Sequence, residues 1–168
     1  VACLEQLPEI GEVDILINNA GVQDSGRDID VNLRGTIYCT EKYGIQPNIK
    51  AIIMTASVSA HNGAEFPEYC ASKGGVLAYT KNVALRVAKY GATCNSISAG
   101  GVITELNAHI LENKSLWDQV MAETLIPKWA TVEEMAEWTY FLAVVNKSMT
   151  AQDVLIDNGE IAKANFVW

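Results

Sequence analysis

The chain has 168 residues, of which 49% are hydrophobic and 19% charged, a length and composition that suit one buried core better than two. Its 20 acidic and 12 basic residues give a net charge of -8 without any basic stripe, which argues against nucleic acid and anionic membranes as partners. No apolar run approaches the length of a membrane span and the acidic start has no signal-peptide pattern, so we expect one cytoplasmic domain over residues 1–168.

Short apolar segments alternate with helical periods, which is typical of parallel strands joined by crossover helices. Strands are predicted at VDILIN (13–18), KAIIMTA (50–56), ATCNSIS (92–98) and QDVLID (152–157). Helices are predicted at about 30–43, 67–90, 114–125 and 131–145. The sequence therefore predicts an α/β fold with four mostly parallel strands.

Several helix ends have local causes in the sequence. Pro67 suits the first turn of a helix, and Gly91 suits the end of one. Thr131 and Glu134 have the spacing of a capping box, in which each side chain bonds the other residue's backbone.

The four cysteines, Cys3, Cys39, Cys70 and Cys94, lie far apart and include no CxxC pair. No histidine stands at ligand spacing from any of them. We expect reduced, mostly buried thiols, with neither a disulfide framework nor a metal site.

Small and polar residues follow three of the predicted strands, as NNAG (18–21), SVSAHNG (57–63) and AGGVIT (99–104). In parallel α/β sheets, ligands bind beyond the carboxyl ends of the strands. These segments therefore indicate a ligand crevice, although residues of the same types also form ordinary turns.

Tyr69 and Lys73 stand four residues apart on a predicted helix, which places both side chains on one face. A neighbouring ammonium favours the phenolate and would lower the pKa of the tyrosine towards neutrality. Ser57 directly follows a buried strand and could reach the same crevice. Together the three residues indicate an acid–base site, whereas a tyrosine and lysine alone occur by chance on many helices.

Six segments, in this order, resemble the short-chain dehydrogenase/reductase family. They are NNAG (18–21), VNLRGT (31–36), TAS (55–57), YCASK (69–73), NSISAGGVIT (95–104) and DNG (157–159). The resemblance implies a Rossmann-type doubly wound parallel sheet and a nicotinamide cofactor, NAD or NADP. It also implies hydride exchange between a small alcohol and its ketone or aldehyde.

Carried over residue by residue, the resemblance assigns four catalytic roles. Tyr69 would be the general acid in reduction and the base in oxidation, and Lys73 would lower its pKa and hold the nicotinamide ribose. Ser57 would hydrogen-bond the substrate oxygen. Asn32 resembles the asparagine that holds a water of the family's proton relay, or is an ordinary polar residue of its helix.

The resemblance also assigns residues to the cofactor. Asn18 would approach the adenosine side, while the Val102 backbone and Thr104 would meet the carboxamide. Gly100 and Gly101 would permit close backbone approach. The complete set of expected cofactor-binding residues is Asn18, Ala20, Gly21, Tyr69, Lys73, Gly100, Val102 and Thr104.

The family's first βαβαβ half, with the glycine-rich turn that holds the pyrophosphate, is not found in this sequence. No G-x-x-x-G-x-G pattern occurs in the 168 residues. Two βαβ steps would occupy about 60 residues or more, and we expect the natural protein to carry them before residue 1. Without them, residues 13–18 would form an exposed apolar sheet edge.

Three local departures from the family pattern also have expected consequences. The segment VQDSGRDID (22–30) is short, so the helix with Asn32 should begin late. Ala99 stands where the family has proline, which loosens that turn. Asn158 replaces a common glycine and tolerates positive φ nearly as well.

The sequence determines the substrate less well than it determines the fold. His61, Phe66, His109 and Trp117 could contact it, or could be loop residues and packing anchors. The polar residues Asn62 and Glu65 indicate a sugar-like or hydroxy-ketone substrate.

Two interpretations of the whole chain remain open at this point. One is an NAD(P)-dependent oxidoreductase that forms homodimers or homotetramers through the helices of Asn32 and Tyr69 and the last strand. The C-terminal ANFVW (164–168) would enter that interface or cover its own pocket. The other is a non-catalytic binding protein of the same fold without the nucleotide-binding half.

Overall fold

The computed structural model describes residues 7–64 and 66–163. The strands are β1 (Ile15–Asn18), β2 (Ala51–Thr55), β3 (Thr93–Ala99) and β4 (Asp153–Ile156). Helix α1 runs through Ile29–Gly35, Thr36–Cys39 and Thr40–Gly44, with π-helical winding in its first and last parts. The next helices are α2 (Ser59–Asn62), α3 (Pro67–Val87), α4 (Ala108–Leu111) and α5 (Lys114–Met121). Helix α6 comprises Val132–Tyr140 and a π-helical end, Phe141–Val145. Short 3₁₀ turns lie at Ala88–Tyr90 and Glu105–Asn107.

The four described strands form one parallel sheet in the order β1-β2-β3-β4. All four predicted strands are therefore confirmed, and each is joined to the next by helical connections. This is the predicted Rossmann-type arrangement without its first half.

The sheet is covered by helices on both faces, which is why β2 is apolar on both sides. Ile52 and Met54 pack with Val76 and Val83 of α3 in one core. Ile53 and Ile97 of β3 pack on the other face with Leu142 and Ala143 at the end of α6. Residues 51–54 are buried throughout, as expected for an inner parallel strand.

The predicted helix ends have the predicted causes. Pro67 is the first residue of α3, and Gly91 closes the following 3₁₀ turn with φ of 73°. The capping box at Thr131 is complete, because its Oγ1 accepts from the Glu134 N–H and its own N–H donates to Glu134 Oε2. Asn158 adopts the expected positive φ, 53°.

One helix end differs from the prediction, whereas the start of α1 agrees with it to within one residue. Helix α5 ends at Met121 rather than near residue 125, because the N–H groups of Leu125 and Ile126 both donate to the Asn158 carbonyl and not to the helix. Helix α1 begins at Ile29, so Asn32 lies in its first turn.

Strand β1 lies at the edge of the sheet. By register, Ile17 pairs with Ile53 and so lies on the α6 face, as does Ile15. Their exposed fractions are 37% for Ile15 and 47% for Ile17, so the described chain has an apolar sheet edge at this position.

Among residues 7–64 and 66–163, no helix is both long and apolar enough to cross a bilayer. Cys39, Cys70 and Cys94, the cysteines in the described part of the chain, are not in disulfides, while Cys3 is outside the described residues. The same part of the chain contains no group of three or more histidine, cysteine or acidic side chains suited to a metal ion.

Candidate active site

A cavity of about 630 Å³ opens beyond the carboxyl ends of β2 and β3. Thr55 and Ser57 line it from the end of β2, and Gly100 lines it from the end of β3. Tyr69 and Lys73 line it from the first turns of α3. The sheet edge, as the sequence predicted, brings polar groups from separate segments into one crevice.

Ser57 is held at the floor of this cavity. Its Oγ lies 3.2 Å from Ser59 Oγ and accepts a hydrogen bond of 3.2 Å from the Ser59 N–H. The neighbouring N–H groups of Ala56 and Val58 donate to carbonyls of Ile97 and Ala99 in β3. Only 5% of Ser57 is exposed, so its hydroxyl has a restricted position.

Lys73 places its ammonium beside Tyr69. Its Nζ lies 5.7 Å from the centre of the tyrosine ring and donates a 2.8 Å hydrogen bond to the Thr55 carbonyl. Burial disfavours the charged form and lowers the pKa of Lys73 to about 8. The lysine is therefore a restrained cation at the tyrosine, poised to lose its proton at mildly alkaline pH.

Asn32 lies behind the cavity rather than on its lining. Its Oδ1 accepts from the Val22 N–H at 2.8 Å, and its Nδ2 donates to the Val22 carbonyl at 2.8 Å and to Ser72 Oγ at 3.0 Å. Its own carbonyl accepts from Thr36 Oγ1. The side chain thus joins the loop after β1 to α3, and its predicted part in a proton relay stays a prediction.

Among the predicted cofactor residues, Asn18 is the last residue of β1, and Ala20 and Gly21 follow it. None of the three is on the described lining of the cavity. Asn18 is buried and donates through Nδ2 to Thr40 Oγ1 at 2.9 Å. Ala20 and Gly21 are solvent-exposed. A Cβ at Gly21 would lie 3.5 Å from Lys73 Nζ, so this backbone passes directly beside the lysine.

Gly100, Val102 and Thr104, which are predicted to meet the cofactor, all line the cavity. A Cβ at Gly100 would lie 2.9 Å from the Asp157 Cα, so only glycine fits there without a shift. Val102 forms a β-bridge with Ala130, which fixes the backbone on this side.

These residues fit the nicotinamide half of the predicted cofactor. Lys73 offers a buried ammonium, Thr104 a hydroxyl, and the glycine at position 100 a backbone without a side chain in the way. A ribose and a carboxamide need such hydrogen-bonding groups beside an accessible backbone.

The four candidate substrate residues separate into two pairs. Phe66 and His109 line the cavity. His61 instead lies 2.8 Å from Asp153 Oδ2 and 3.1 Å from Ser98 Oγ through its Nε2, so it ties α2 to β3 and β4. Trp117 contacts Trp129 edge to face and is a packing residue.

A sugar-like substrate is predicted from Asn62 and Glu65, of which the structure describes the first. Asn62 accepts from the Ala64 N–H in a local turn and is outside the lining. Glu65 lies outside the described residues.

Sequence reasoning did not single out several lining residues, among them Asp24, Trp129 and Glu160. Trp129 is buried and closes the cavity against Gly101. The clue for Trp129 was its place just before the capping box, at the end of the long segment after Thr104. Glu160 had no local clue, because the fold brings it from beyond the last strand.

A family model described as enoyl-(acyl carrier protein) reductase matches residues 4–160. The chain belongs to the short-chain dehydrogenase/reductase family. Members of this family are NAD(P)-dependent oxidoreductases that act on alcohol and carbonyl groups. The alternative of a binding protein without catalysis therefore loses its support.

Named relatives agree with this assignment. The chain is 28% identical over 171 residues to 3-oxoacyl-[acyl-carrier-protein] reductase FabG of Staphylococcus epidermidis, with 92% of this chain and 69% of that protein covered. It is 27% identical to L-rhamnose 1-dehydrogenase (NAD(P)(+)) of a Sphingomonas strain, covering 89% of this chain and 65% of that protein. A 4-hydroxyisoleucine dehydrogenase mutant complexed with NADH and succinate is 28% identical and superposes with a TM-score of 0.82, covering 97% and 72%. The chain thus spans about two thirds of the length of these proteins.

Proposed function

We propose that this chain interconverts a small alcohol and its ketone or aldehyde with NAD or NADP, with Tyr69 as general acid and base. The observation that carries the proposal is the convergence of Ser57, Tyr69 and Lys73 on one cavity, although they come from two different segments. A hydroxyl, a phenol and a cation in one crevice are the groups that a carbonyl reduction needs.

The bound nicotinamide would supply or accept the hydride. In reduction, Ser57 hydrogen-bonds the carbonyl oxygen and holds it at the phenol. Tyr69 gives its proton to that oxygen as the negative charge develops. Lys73 stabilises the resulting phenolate, because its ammonium is restrained beside the ring by the Thr55 carbonyl. In oxidation the phenolate takes the alcohol proton.

The same proposal assigns the cofactor to the backbone and side chains around Lys73. Tyr69, Lys73, Gly100, Val102 and Thr104 would hold its nicotinamide ribose and carboxamide. Asn18, Ala20 and Gly21 would lie along the adenosine side. Asn32 would support the site through Val22 and Ser72, in line with its three side-chain hydrogen bonds.

Assembly is a further part of the proposal. The chain would be a single-domain subunit of a homodimer or homotetramer. Support comes from apolar side chains left exposed on two of the predicted interface elements, Leu85 on the helix of Tyr69 and Leu155 on β4. Light scattering of the purified full-length protein tests it, and a monomer at micromolar concentration would contradict it.

The decisive experiment replaces Tyr69 with phenylalanine in the full-length protein. Reduced-nicotinamide absorbance is followed with a panel of small ketones, aldehydes and alcohols, and cofactor binding is measured by quenching of protein fluorescence. We expect the Tyr69→Phe variant to lose about 10²–10⁴-fold in kcat, the range that proton transfer contributes. Cofactor affinity should remain within a few fold, because only a hydroxyl is lost.

Tyr43→Phe is a matched control. The Tyr43 hydroxyl donates to the Pro8 carbonyl, away from the described cavity lining. This variant should keep wild-type turnover. Turnover that survives in the Tyr69→Phe variant would refute the assignment of Tyr69.

A further inference from the structure

A network of four polar side chains joins α2 to β3 and β4. Nε2 of His61 lies 2.8 Å from Asp153 Oδ2 and 3.1 Å from Ser98 Oγ. The other carboxylate oxygen of Asp153 accepts a 2.6 Å hydrogen bond from Ser96 Oγ. Because an ionised carboxylate only accepts hydrogen bonds, the His61 ring donates its Nε2–H to Asp153. A side chain of β4 thus holds a side chain of α2.

Asp153 is the fixed end of this network. It pairs in register with Ser96 in the sheet, and both Ser96 and Ser98 are buried in β3. The Asp153 side chain itself is 16% exposed. Lys81 of α3 lines the same cavity of about 80 Å³ as His61 and Asp153, so a positive charge lies near the carboxylate whether or not the ring is protonated. The sheet therefore gives His61 a partner at a defined position.

Helix α2 needs such an anchor because it is a single turn, Ser59–Asn62. One turn fixes several backbone dihedral angles for few hydrogen bonds, so a helix of this length is marginal by itself. Its local bonds include those from the His61 and Asn62 N–H groups to the Val58 carbonyl. A contact with the sheet at His61 adds a restraint that the turn cannot supply.

The winding of α2 decides where the Ser57 hydroxyl lies. Ser57 Oγ accepts a 3.2 Å hydrogen bond from the N–H of Ser59, the first residue of α2. The Ser57 carbonyl accepts from the Ala60 N–H at 3.0 Å. Unwinding of the turn would break both bonds and release the hydroxyl from its place at the floor of the large cavity.

We propose that Asp153 is a positioning residue for the reaction, and that it acts on Ser57 through His61 and α2. This rests on the proposed function, in which Ser57 holds the substrate oxygen. Asp153 is not on the described lining of the large cavity, so its effect passes through the protein and not through contact with substrate. A small displacement of a group that orients a substrate is enough to slow a reaction.

Turnover of variants of the full-length protein tests the connection. Asp153→Ala and His61→Ala should each lower kcat about threefold with little change in KM. The two changes together should lose no more than one of them, because both break the same connection. His61→Gln, whose amide N–H can donate to Asp153, should restore most of the lost turnover. On a Ser57→Ala background, Asp153→Ala should leave the residual turnover unchanged.

Amide hydrogen exchange measures the same connection without turnover. Exchange in residues 57–64 should become about tenfold faster in Asp153→Ala and in His61→Ala, and should stay near the wild-type rate in His61→Gln. Val87→Ala is the control for loss of stability. Val87 is fully buried at the end of α3 and outside the described cavity lining, so this change weakens the core but should leave kcat and the exchange of α2 unchanged.

Three results would overturn the proposal. They are wild-type exchange in α2 when the Asp153 side chain is removed, multiplied losses in the double variant, and an equal loss from Asp153→Ala on the Ser57→Ala background. A wild type without turnover, or a Ser57→Ala variant as active as the wild type, would instead refute the catalytic proposal. In that case the exchange rates still decide whether Asp153 holds α2.

Discussion

Replacing Gly101 with alanine should disrupt the packing of Trp129 beside the cavity and destabilise the fold. A Cβ at this position would lie 2.0 Å from Nε1 of Trp129, and 2.1 and 2.2 Å from two further indole atoms. The indole cannot easily move, since only 7% of Trp129 is exposed and Trp117 packs against it with ring centres 5.3 Å apart. The new methyl group must therefore displace a rigid, buried ring by about 1 Å or more.

The size of the effect follows from two opposing contributions. Overpacking a filled core costs about 1–3 kcal/mol, and a rigid ring places this site near the upper end. Alanine restricts the unfolded chain and returns about 0.5 kcal/mol. We therefore expect the free energy of unfolding to fall by about 2 kcal/mol.

Urea unfolding of the full-length protein, followed by tryptophan fluorescence, measures the change. Gly74→Ala is the control, because a Cβ there has nothing within 4 Å and alanine favours the helix by about 1 kcal/mol. On a Trp129→Leu background, Gly101→Ala should cost much less than in the wild type. A loss below about 0.5 kcal/mol, or an equal loss on both backgrounds, would refute the proposed contact.

Three further predictions concern Lys73, the Arg86–Glu41 pair and His61. Because burial lowers the pKa of Lys73 to about 8, kcat/KM for carbonyl reduction should fall as the pH rises through that value. A pH profile that is flat for about one pH unit on either side of it would contradict this prediction. The hydrogen bonds from the Arg86 guanidinium lower the pKa of Glu41 in the folded protein. The pair therefore stabilises the fold fully above the ordinary carboxyl pKa, and this stabilisation is lost as the pH falls through the lowered pKa. Arg86→Met should reduce the free energy of unfolding by about 1 kcal/mol at neutral pH and by less in acid, as urea titrations at the two pH values would show. His61→Ala removes the bond to Asp153 that holds α2 in place. This change should lower kcat about threefold with little change in KM, because α2 follows Ser57 directly. If an unrelated variant of similar stability loses kcat to the same extent, the role of His61 is purely structural.

The element order could be predicted from the sequence because each cue for it is local. Apolar β-branched runs gave four strands, and all four are present. Pro67, Gly91 and the Thr131 capping box determined helix ends through bonds that span at most a few residues. The end of α5 was missed because its last N–H groups bond to Asn158, far along the chain.

The grouping of Ser57, Tyr69 and Lys73 at one cavity was also predictable. Tyr69 and Lys73 share a helix face by spacing alone, and Ser57 follows directly after a buried strand. The parallel sheet then brings the two segments together. The meeting of Glu123 and Glu160 at one cavity was not predictable, since they are separated by a helix and a strand and their segments are joined by backbone bonds between two turns.

His61 shows, in a single residue, the difference between what local sequence indicates and what the tertiary structure decides. Its place in the loop after Ser57 is compatible with either a substrate contact or a packing role, and the structure turns its ring to Asp153 and Ser98. The sequence by itself determined the order of strands and helices and the tyrosine–lysine–serine set, because periodicity and spacing act over one or two helical turns. Only the tertiary structure decided which distant side chains surround that set, because their positions depend on strand register and on contacts between residues far apart in the chain.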